Sequence, residues 1–230
     1  MHLKTLVVIP AYNEELNIKK TVYDLIENAP NVDYLVINDG SRDNTLEVLK
    51  TNKFNYIDSY CNLGLFGAVQ TGFKYALKKN YDIVIQFDGD GQHSAKYIQT
   101  MIDQIQHGYD IVIGSRFVTK RKPLTARMLG SRLISGAIKI ITGEKLTDPT
   151  SGLRAYSRSC IADYALGMNN PPEPDTLVYM IRKGIKVKEV QVEMNSREFG
   201  ESYLNISNTV KYMSRMLISV FLIQPFRKSR

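Results

Sequence analysis

Residues 81–93 read YDIVIQFDGDGQH, and this stretch decides the fold class. Its first part is apolar at nearly consecutive positions, which is typical of a strand that is covered on both faces of a sheet. Asp88 and Asp90 follow at once, and Gly89 and Gly91 permit a tight backbone course. Side chains alternate in an extended segment. The sequence therefore predicts two carboxylates on the same side of the chain, at the carboxyl end of a buried strand.

Strands of the same kind recur along the first half of the chain, separated by helical patterns. Each predicted strand is short and rich in β-branched and aromatic residues, and each predicted helix has apolar residues three or four positions apart. This alternation predicts an α/β fold with a mainly parallel central sheet flanked by helices, whose ligands bind beyond the carboxyl ends of the strands. The predicted strands are 3–10, 33–39, 54–60, 81–88 and 109–115, and the predicted helices are 14–29, 42–53, 66–79 and 94–107.

The second half of the chain has a less regular pattern. PPEP at 171–174 forces an extended entry into a helix that Gly184 ends. No flexible linker or internal repeat interrupts the pattern, so we expect this half to pack directly on the sheet. The predicted elements are a helix at 124–142, a turn at 148–152, a strand at 153–156, a helix at 175–183 and a strand at 186–194.

The composition is that of an ordinary globular protein. With 230 residues, of which 43% are hydrophobic and 23% charged, the chain can bury its own core and is not expected to be disordered. Two cysteines without a CxxC spacing and three histidines offer neither a disulfide framework nor a thiolate zinc site. The amino-terminal apolar run is too short for a signal peptide or a membrane span. We therefore expect a cytoplasmic protein.

The charges are distributed unevenly. Residues 1–110 hold 10 Lys and Arg against 14 Asp and Glu, whereas residues 111–230 hold 20 against 9. Between Arg116 and Arg132 there is no acid. Such a cluster attracts phosphate, on a nucleic acid, a lipid headgroup or a small ligand, unless it is only a solvated loop. We call it the basic cluster, and its members are Arg116, Lys120, Arg121, Lys122, Arg127 and Arg132.

The carboxyl-terminal residues, 204–230, predict an amphipathic helix with a basic tail. MLISVFLI at 216–223 is apolar nearly all round, but Arg215 interrupts the apolar run and Pro225 ends it. It is therefore far shorter than the roughly 20 residues of a spanning helix. The helix is expected to lie at a membrane surface or on a membrane-protein partner, or to pack on the protein's own core or on a second subunit, which leaves a homodimer open.

The acidic segment has the chemistry of a divalent-cation site. The carboxylates of Asp88 and Asp90 and the amide oxygen of Gln92 are hard ligands, which suit Mg²⁺ or Mn²⁺ and leave positions open for substrate phosphates. A DxD string alone is weak, because Asp and Gly are common in turns, but its place after a buried strand strengthens the prediction. His93 is close enough in sequence to contact the metal or a phosphate.

Two other loops follow predicted strands. In NDGS at 38–41, Asp39 can accept hydrogen bonds from a ribose or a base edge, whereas Ser41 and Asp43 can simply cap the next helix. In NLGLFGAVQTG, Gly64 begins a run of small residues that admits a close ligand. Neither GxGxxG nor GxxxxGK[ST] occurs in the chain, which argues against nicotinamide and P-loop chemistry.

Six motifs, in order along the chain, resemble those of family 2 glycosyltransferases of the GT-A fold. Within that family the chain is most similar to the dolichyl- or polyprenyl-phosphate sugar transferases, over about residues 4–203. The motifs are PAYNEE at 10–15, NDGS at 38–41, the NxG…A…G pattern at 62–72, DGDGQH at 88–93, GSR at 114–116 and DPTSGLRAYSR at 148–158.

The resemblance assigns roles to individual residues. It places Arg116, Arg127 and Ser131 at the acceptor phosphate, which agrees with the basic cluster, and Asp88, Asp90 and Gln92 at the metal. Arg197 and 200–202 match a segment that closes over the diphosphate, but Tyr203 stands where a lysine is usual. The residues placed around the nucleotide sugar are Pro10, Ala11, Tyr12, Glu14, Asp39, Gly64, Asp88, Gly89 and Asp90.

These roles imply a metal-dependent, inverting glycosyltransferase. It would move a sugar from a UDP- or GDP-sugar to a polyprenyl phosphate, undecaprenyl or dolichyl, at the cytosolic face of the membrane, as a peripheral protein. Asp90 and Arg197 would act at the leaving diphosphate. The expected domain is 1–203, with a nucleotide-sugar half, 1–115, and an acceptor half, 116–203.

Two alternatives remain open from the sequence. A saccharide hydroxyl, in cell-wall or surface polysaccharide synthesis, would need a general base, for which Glu173, Asp148 and Asp175 are candidates; Glu173 can also be a helix-start acid. A non-catalytic nucleic-acid or lipid-binding module is suggested only by the net charge of +7. The chain has no aromatic stacking platform and its first half would repel a polyanion, so no nucleic-acid partner is expected.

Overall fold

A twisted α/β sheet organises the chain. The structure is a computed structural model that describes residues 3–167, 171–195 and 206–227, with the backbone alone at 126–127 and 206–210. Its described strands form one seven-stranded sheet in the order β3-β2-β1-β4-β6-β5-β7. The strands are β1 Thr5–Ala11, β2 Asp33–Asn38, β3 Tyr56–Asp58, β4 Ile83–Gln86, β5 Ile111–Ser115, β6 Arg154–Ser157 and β7 Val187–Gln191.

Helices cover both faces of the sheet. Successive residues of β1 point to opposite layers: Val7 belongs to the core cluster that contains residues of α1, α2 and α4, and Val8 to the cluster that contains residues of α3, α5, α6, α7 and α8. The predicted α/β class with a mainly parallel sheet is therefore confirmed. The helices are α1 Ile18–Asn28, α2 Thr45–Thr51, α3 Gly64–Lys78, α4 Ile98–Gln106, α5 Ala126–Thr142, α6 Arg158–Leu166, α7 Pro174–Arg182 and α8 Ile206–Ile218.

One strand runs against the others. β6 pairs antiparallel with both β4 and β5, so that Arg154, its first residue, lies opposite Gln86 and Ile113. The remaining pairs in the sheet are parallel. The amino end of β6 therefore lies at the same edge as the carboxyl ends of β4 and β5, and the turn at 148–152 is brought to that edge.

Several helices begin or end a few residues from their predicted bounds, and α6 is an additional helix. α1 begins at Ile18 and not at residue 14, because Asn13 has a positive φ of 56° and the carbonyl of Glu14 accepts hydrogen bonds from the next turn. α6 directly follows β6 and was not predicted. It packs beside α3 and supplies the buried Tyr164 to the core.

The carboxyl-terminal helix packs on the protein's own core. Met216 and Val220 are buried against the sheet layer that contains α5 and α7. A π-helical turn, Ser219–Ile223, and a 3-10 turn, Gln224–Phe226, extend α8. The opposite side of this segment exposes large apolar side chains; we call them the apolar tail face, and they are Ile218, Phe221, Leu222, Ile223 and Phe226.

No helix within the described part of the chain combines the length and the apolar character needed to cross a bilayer.

Candidate active site

The two aspartates lie in a turn just beyond β4. The strand ends at Gln86, and Gly91 has a φ of 75°, so the segment bends and the expected extended alternation does not apply. The backbone N–H of Asp88 donates to His93 Nδ1 at 3.0 Å, and His93 Nε2 lies 3.6 Å from Asp88 Oδ2. Asp90 Oδ1 accepts from the backbone N–H of Gln92 at 3.1 Å. His93, which is buried, thus orients the Asp88 turn.

The surroundings of Asp88 fit a divalent cation. Its Oδ1 is buried and has no hydrogen-bond partner among the described residues. A buried carboxylate oxygen without a partner is costly, and a cation would satisfy it. The described residues contain no group of three or more His, Cys, Asp or Glu side chains that could hold a metal. Two carboxylates suit Mg²⁺ or Mn²⁺, which take further ligands from water and substrate phosphates.

The predicted nucleoside side lies at the carboxyl ends of β1 and β2. The backbone N–H of Asp39 donates to the carbonyl of Ala11 at 2.9 Å, and Asp39 Oδ1 accepts from the backbone N–H of Leu63 at 2.8 Å. Pro10 and Ala11 end β1, and Tyr12 just beyond them is 41% exposed. The ends of these strands therefore offer mainly backbone atoms to a ligand, together with the exposed aromatic ring of Tyr12.

Other residues of this region support the loops. Glu14 is buried, and its Oε2 accepts from Asn17 Nδ2 at 2.7 Å. Ser41 Oγ accepts from the backbone N–H of Asn13 at 3.0 Å, and Asp43 accepts from the backbone N–H of Thr45, also at 3.0 Å.

Gly64 begins α3 with a φ of 74°. Gly89 packs against the carbonyl of Pro10, where a side chain would not fit. These contacts tie the β1, β2 and β4 loops together.

Arg116 and Asp148 form a two-pronged ion pair at the end of β5. Arg116 Nε lies 2.7 Å from Asp148 Oδ2, and Nη2 lies 3.0 Å from Oδ1. Asp148 itself is fully buried, and the backbone N–H of Asp148 donates to Glu189 Oε1 at 2.6 Å. Both carboxylate oxygens of Asp148 thus face Arg116, which suits a residue that positions a cation. The planar guanidinium is rigidly oriented by such a pair.

Lys122 completes the basic surface beside Arg116. Its Nζ donates to Ser131 Oγ at 2.9 Å, and Ser131 is buried on α5. Burial lowers the pKa of Lys122, against the opposing effect of the Asp148 and Glu189 carboxylates. The sequence placed Lys122 in the basic cluster but gave it no role in the site, because its contact with Ser131 depends on how the 116–125 loop folds back on α5.

Glu173 and Asp175 lie at the start of α7, where the carboxyl-terminal helix covers them. Glu173 precedes the helix as its N-cap residue and makes no side-chain capping bond, but it pairs with Arg215 of α8. Burial raises the pKa of Glu173, and Arg215 opposes this shift. Asp175 is buried and accepts from Ser219 Oγ at 2.6 Å and from Gln224 Nε2 at 3.2 Å. Both acids therefore anchor the carboxyl-terminal segment.

Some predicted residues lie outside the described part of the chain. These are Arg197, the segment 200–202 and Tyr203. Of Arg127 the structure describes the backbone, in the first turn of α5, but not the side chain. Their roles at the diphosphate and at the acceptor phosphate stay predictions.

The chain is similar to known proteins over most of its length. A family model described as "Glycosyl transferase family 2" matches residues 6–165. The polyprenol monophosphomannose synthase of Mycolicibacterium smegmatis is 29% identical over 226 residues, covering 93% of this chain and 85% of that protein. The undecaprenyl-phosphate mannosyltransferase of Micrococcus luteus is 30% identical over 215 residues, covering 88% of each.

A solved structure has the same fold. It is glucosyl-3-phosphoglycerate synthase from Mycobacterium tuberculosis, in complex with Mn²⁺, uridine diphosphate and phosphoglyceric acid. It superposes with a TM-score of 0.72 at 16% identity, over 99% of this chain and 80% of that one. At this identity the likeness concerns the fold, and it confirms the GT-A architecture predicted from the sequence motifs.

Proposed function

Because the chain belongs to glycosyl transferase family 2, we propose that it transfers a sugar from a UDP- or GDP-sugar to a polyprenyl phosphate, with inversion and with Mg²⁺ or Mn²⁺ as cofactor. The observation that carries this proposal is the acceptor side of the site. There, Asp148 orients Arg116, and Ser131 Oγ accepts a hydrogen bond from Lys122 Nζ. Two cations therefore lie at the same edge of the sheet as Asp88.

On the donor side, the residues would hold the nucleotide sugar at the strand ends. Residues 10–12 and Asp39 are placed for the nucleoside, and Gly64, beside which no atom lies within 4 Å of a Cβ position, leaves room for the donor's close approach. Gly89 would act indirectly, because it lets the Asp88 loop lie against the carbonyl of Pro10. A divalent cation held by Asp88 and Asp90, with Gln92 nearby, would neutralise charge on the departing diphosphate. We expect Arg197 to add positive charge there. The bond between the anomeric carbon and the diphosphate oxygen breaks as the nucleotide leaves.

On the acceptor side, a phosphate oxygen is the nucleophile. It is already ionised at neutral pH, so it needs positioning more than a base. Arg116, Lys122 and Ser131 would hold the phosphate, with Arg127 adding a further cation, and would offset its repulsion from the diphosphate. The new bond joins this oxygen to the anomeric carbon from the face opposite the leaving group, which inverts the configuration.

The relatives' acceptors support a lipid phosphate. The names of the mycobacterial and Micrococcus proteins specify a polyprenol and undecaprenyl phosphate. The pairing of Glu173 with Arg215 also favours this acceptor, because a general base must reach the substrate hydroxyl, whereas both oxygens of this carboxylate accept from Arg215 Nη2. We infer that the apolar tail face, with Lys211 and Arg215 exposed nearby, rests on the cytosolic membrane surface where such acceptors are anchored.

The experiment is a transfer assay with defined acceptors. Purified protein is incubated with labelled UDP- and GDP-sugars, Mn²⁺, and one of three acceptors: undecaprenyl phosphate, dolichyl phosphate or a saccharide. We expect organic-soluble label with one donor, dependent on the metal. No such label with any donor, together with label in a saccharide acceptor, would replace this proposal with transfer to a hydroxyl.

A further inference from the structure

A short segment, 148–152, contacts both sides of the site. At its start Asp148 holds Arg116, at its middle Thr150 Oγ1 lies 3.5 Å from Ser131 Oγ, and at its end Gly152 packs against Asp88. We call this segment the bridge. It reaches both sides because β6 lies between β4 and β5, which carry Asp88 and Arg116 at their ends.

The contact between the bridge and Asp88 is direct. A Cβ atom at position 152 would overlap Asp88 Oδ2 and would make a tight contact with Oδ1. Glycine therefore lets the carboxylate lie against the bridge backbone with no side chain between them. A shift of the bridge would therefore displace the contacts of Asp88 at one end and of Arg116 at the other.

Arg154 fixes the bridge by hydrogen bonds to two of its backbone carbonyls. It is 1% exposed, at the first position of β6. Its Nε donates to the carbonyl of Ser151 at 2.8 Å, and its Nη2 donates to the carbonyl of Pro149 at 2.6 Å. Ser151 Oγ in turn donates to the carbonyl of Gly114 at 2.6 Å.

A buried arginine is a costly way to hold a turn. Burying a charge is unfavourable unless it is well paired, yet Nη1 has no hydrogen-bond partner among the described residues. The guanidinium nevertheless offers what a lysine cannot, namely two donors in a fixed plane that fit two carbonyls at once. The use of arginine at this position therefore indicates that the geometry of the bridge must be fixed, and that a positive charge alone would not be enough.

We propose that Arg154 is a positioning residue for the transfer reaction: by fixing the bridge, it sets the spacing between the acceptor-phosphate cations and Asp88. This inference rests on the proposed function for the identity of the two reactants. Its physical basis is that reacting groups must be held at near-attack distance, and a displacement of about 1 Å can lower the rate roughly 100-fold.

The test compares Arg154→Lys and Gly152→Ala with Arg158→Lys as the matched control. Arg158 lies just after the other end of the same strand, where its Nη1 also donates to a backbone carbonyl, that of Tyr81. Each variant is assayed for kcat and for acceptor KM. Independently of turnover, Mn²⁺ binding in the presence of UDP or GDP is titrated by electron paramagnetic resonance, and folding is followed by thermal unfolding and circular dichroism.

For Arg154→Lys we expect kcat to fall roughly 10- to 100-fold, with weaker Mn²⁺ binding and a higher acceptor KM. For Gly152→Ala we expect weaker Mn²⁺ binding with an unchanged acceptor KM, because the added methyl group displaces the Asp88 carboxylate and not Arg116. Arg158→Lys should match the wild type in all three readouts.

Several results would overturn the inference. One is a folded Arg154→Lys protein with wild-type kcat, acceptor KM and Mn²⁺ binding, or one that loses only thermal stability. If Arg154→Lys does not fold, Gly152→Ala decides, and wild-type Mn²⁺ binding in that variant refutes the bridge contact. If wild-type protein transfers no sugar to polyprenyl phosphate, the proposed function fails. In that case the Mn²⁺ titration of Arg154→Lys still tests whether Arg154 positions Asp88, and that of Gly152→Ala still tests the contact between the bridge and Asp88.

Discussion

Glu173 and Arg215 join the start of α7 to the carboxyl-terminal helix through one guanidinium nitrogen, with Nη2 at 2.9 Å from Oε1 and 3.0 Å from Oε2. The pair is partly solvent-exposed, with 64% of the arginine side chain and 26% of the glutamate side chain accessible. The carboxylate is thus committed to a structural contact, although it lies where a general base would be expected in a transferase that acts on a hydroxyl.

Glu173→Gln should therefore have a small effect on transfer to polyprenyl phosphate. We expect initial rates to fall by less than about tenfold, since loss of a general base would lower them by roughly 100- to 10,000-fold. Glu193→Gln is the control, because Glu193 forms an exposed ion pair with Lys120. A near-complete loss in Glu173→Gln alone would contradict the structural role of this carboxylate and would indicate that it takes part in transfer.

Asp88→Asn should remove most of the metal-dependent activity. The substitution keeps the size of the side chain but withdraws the negative charge, so we expect a loss of about 100- to 1,000-fold in kcat and a higher Mn²⁺ requirement. Chelation by EDTA should abolish wild-type transfer, and added Mn²⁺ should restore it. Asp103→Asn, on the exposed side of α4, is the control. Activity of Asp88→Asn within twofold of the wild type would remove Asp88 from the metal site.

Lys122→Ala should raise the acceptor KM without affecting the donor KM. A charge-assisted hydrogen bond contributes about 1.5–3 kcal/mol, which corresponds to roughly 10- to 100-fold in KM. Lys120→Ala is a matched control, because Lys120 belongs to the same basic cluster but pairs with Glu193 at the surface. Equal effects of the two substitutions would indicate a general field of positive charge and not a phosphate site at Lys122.

As the pH rises, acceptor binding should weaken at a lower pH than it would if Lys122 had the ordinary pKa of a lysine. Burial lowers the pKa of Lys122, so its positive charge is present at low pH and is lost as the pH rises through this lowered value. We expect the acceptor KM to rise over that range at saturating donor. Lys122→Arg keeps the charge, and its acceptor KM should stay flat. The same rise in both proteins would assign the titration to another group.

The apolar tail face should govern vesicle binding. Burial of a Leu or Phe side chain contributes about 1.5–3 kcal/mol, so Leu222→Ser with Phe226→Ser should weaken binding to anionic vesicles at least about tenfold. Transfer to a short-chain, water-soluble prenyl phosphate should be unchanged. Ile26→Ser, at an exposed position on α1, is the control. Undiminished sedimentation of the double variant with vesicles would show that another surface meets the membrane.

Local patterns were sufficient to predict most of the fold. Consecutive β-branched residues identified β1, β2, β4 and β5, because a strand that is covered on both faces has a continuous apolar run and no alternation of polar and apolar residues. The reversal of β6 could not be read from its sequence, since four residues after a turn do not reveal which strands they will join. α6 was missed because RSCIADYAL has polar residues scattered around the helix and little apolar periodicity.

Contacts in the site were harder to predict than its residue types. Arg116 and Asp148 were both selected, but for separate roles, and their ion pair joins residues 32 positions apart. That contact depends on strand order, which no local pattern contains. The contact between Lys122 and Ser131 likewise depends on a loop folding back on α5.

The reversed strand also dictates an order of events during synthesis. β6 must enter between β4 and β5, which leave the ribosome earlier, so a nascent chain that stops before residue 154 has an unfilled gap in its sheet. Unpaired strand edges promote misassembly. Fragments that end between 116 and 153 should therefore need chaperones to stay unaggregated, although they already contain Asp88, Asp90 and Arg116.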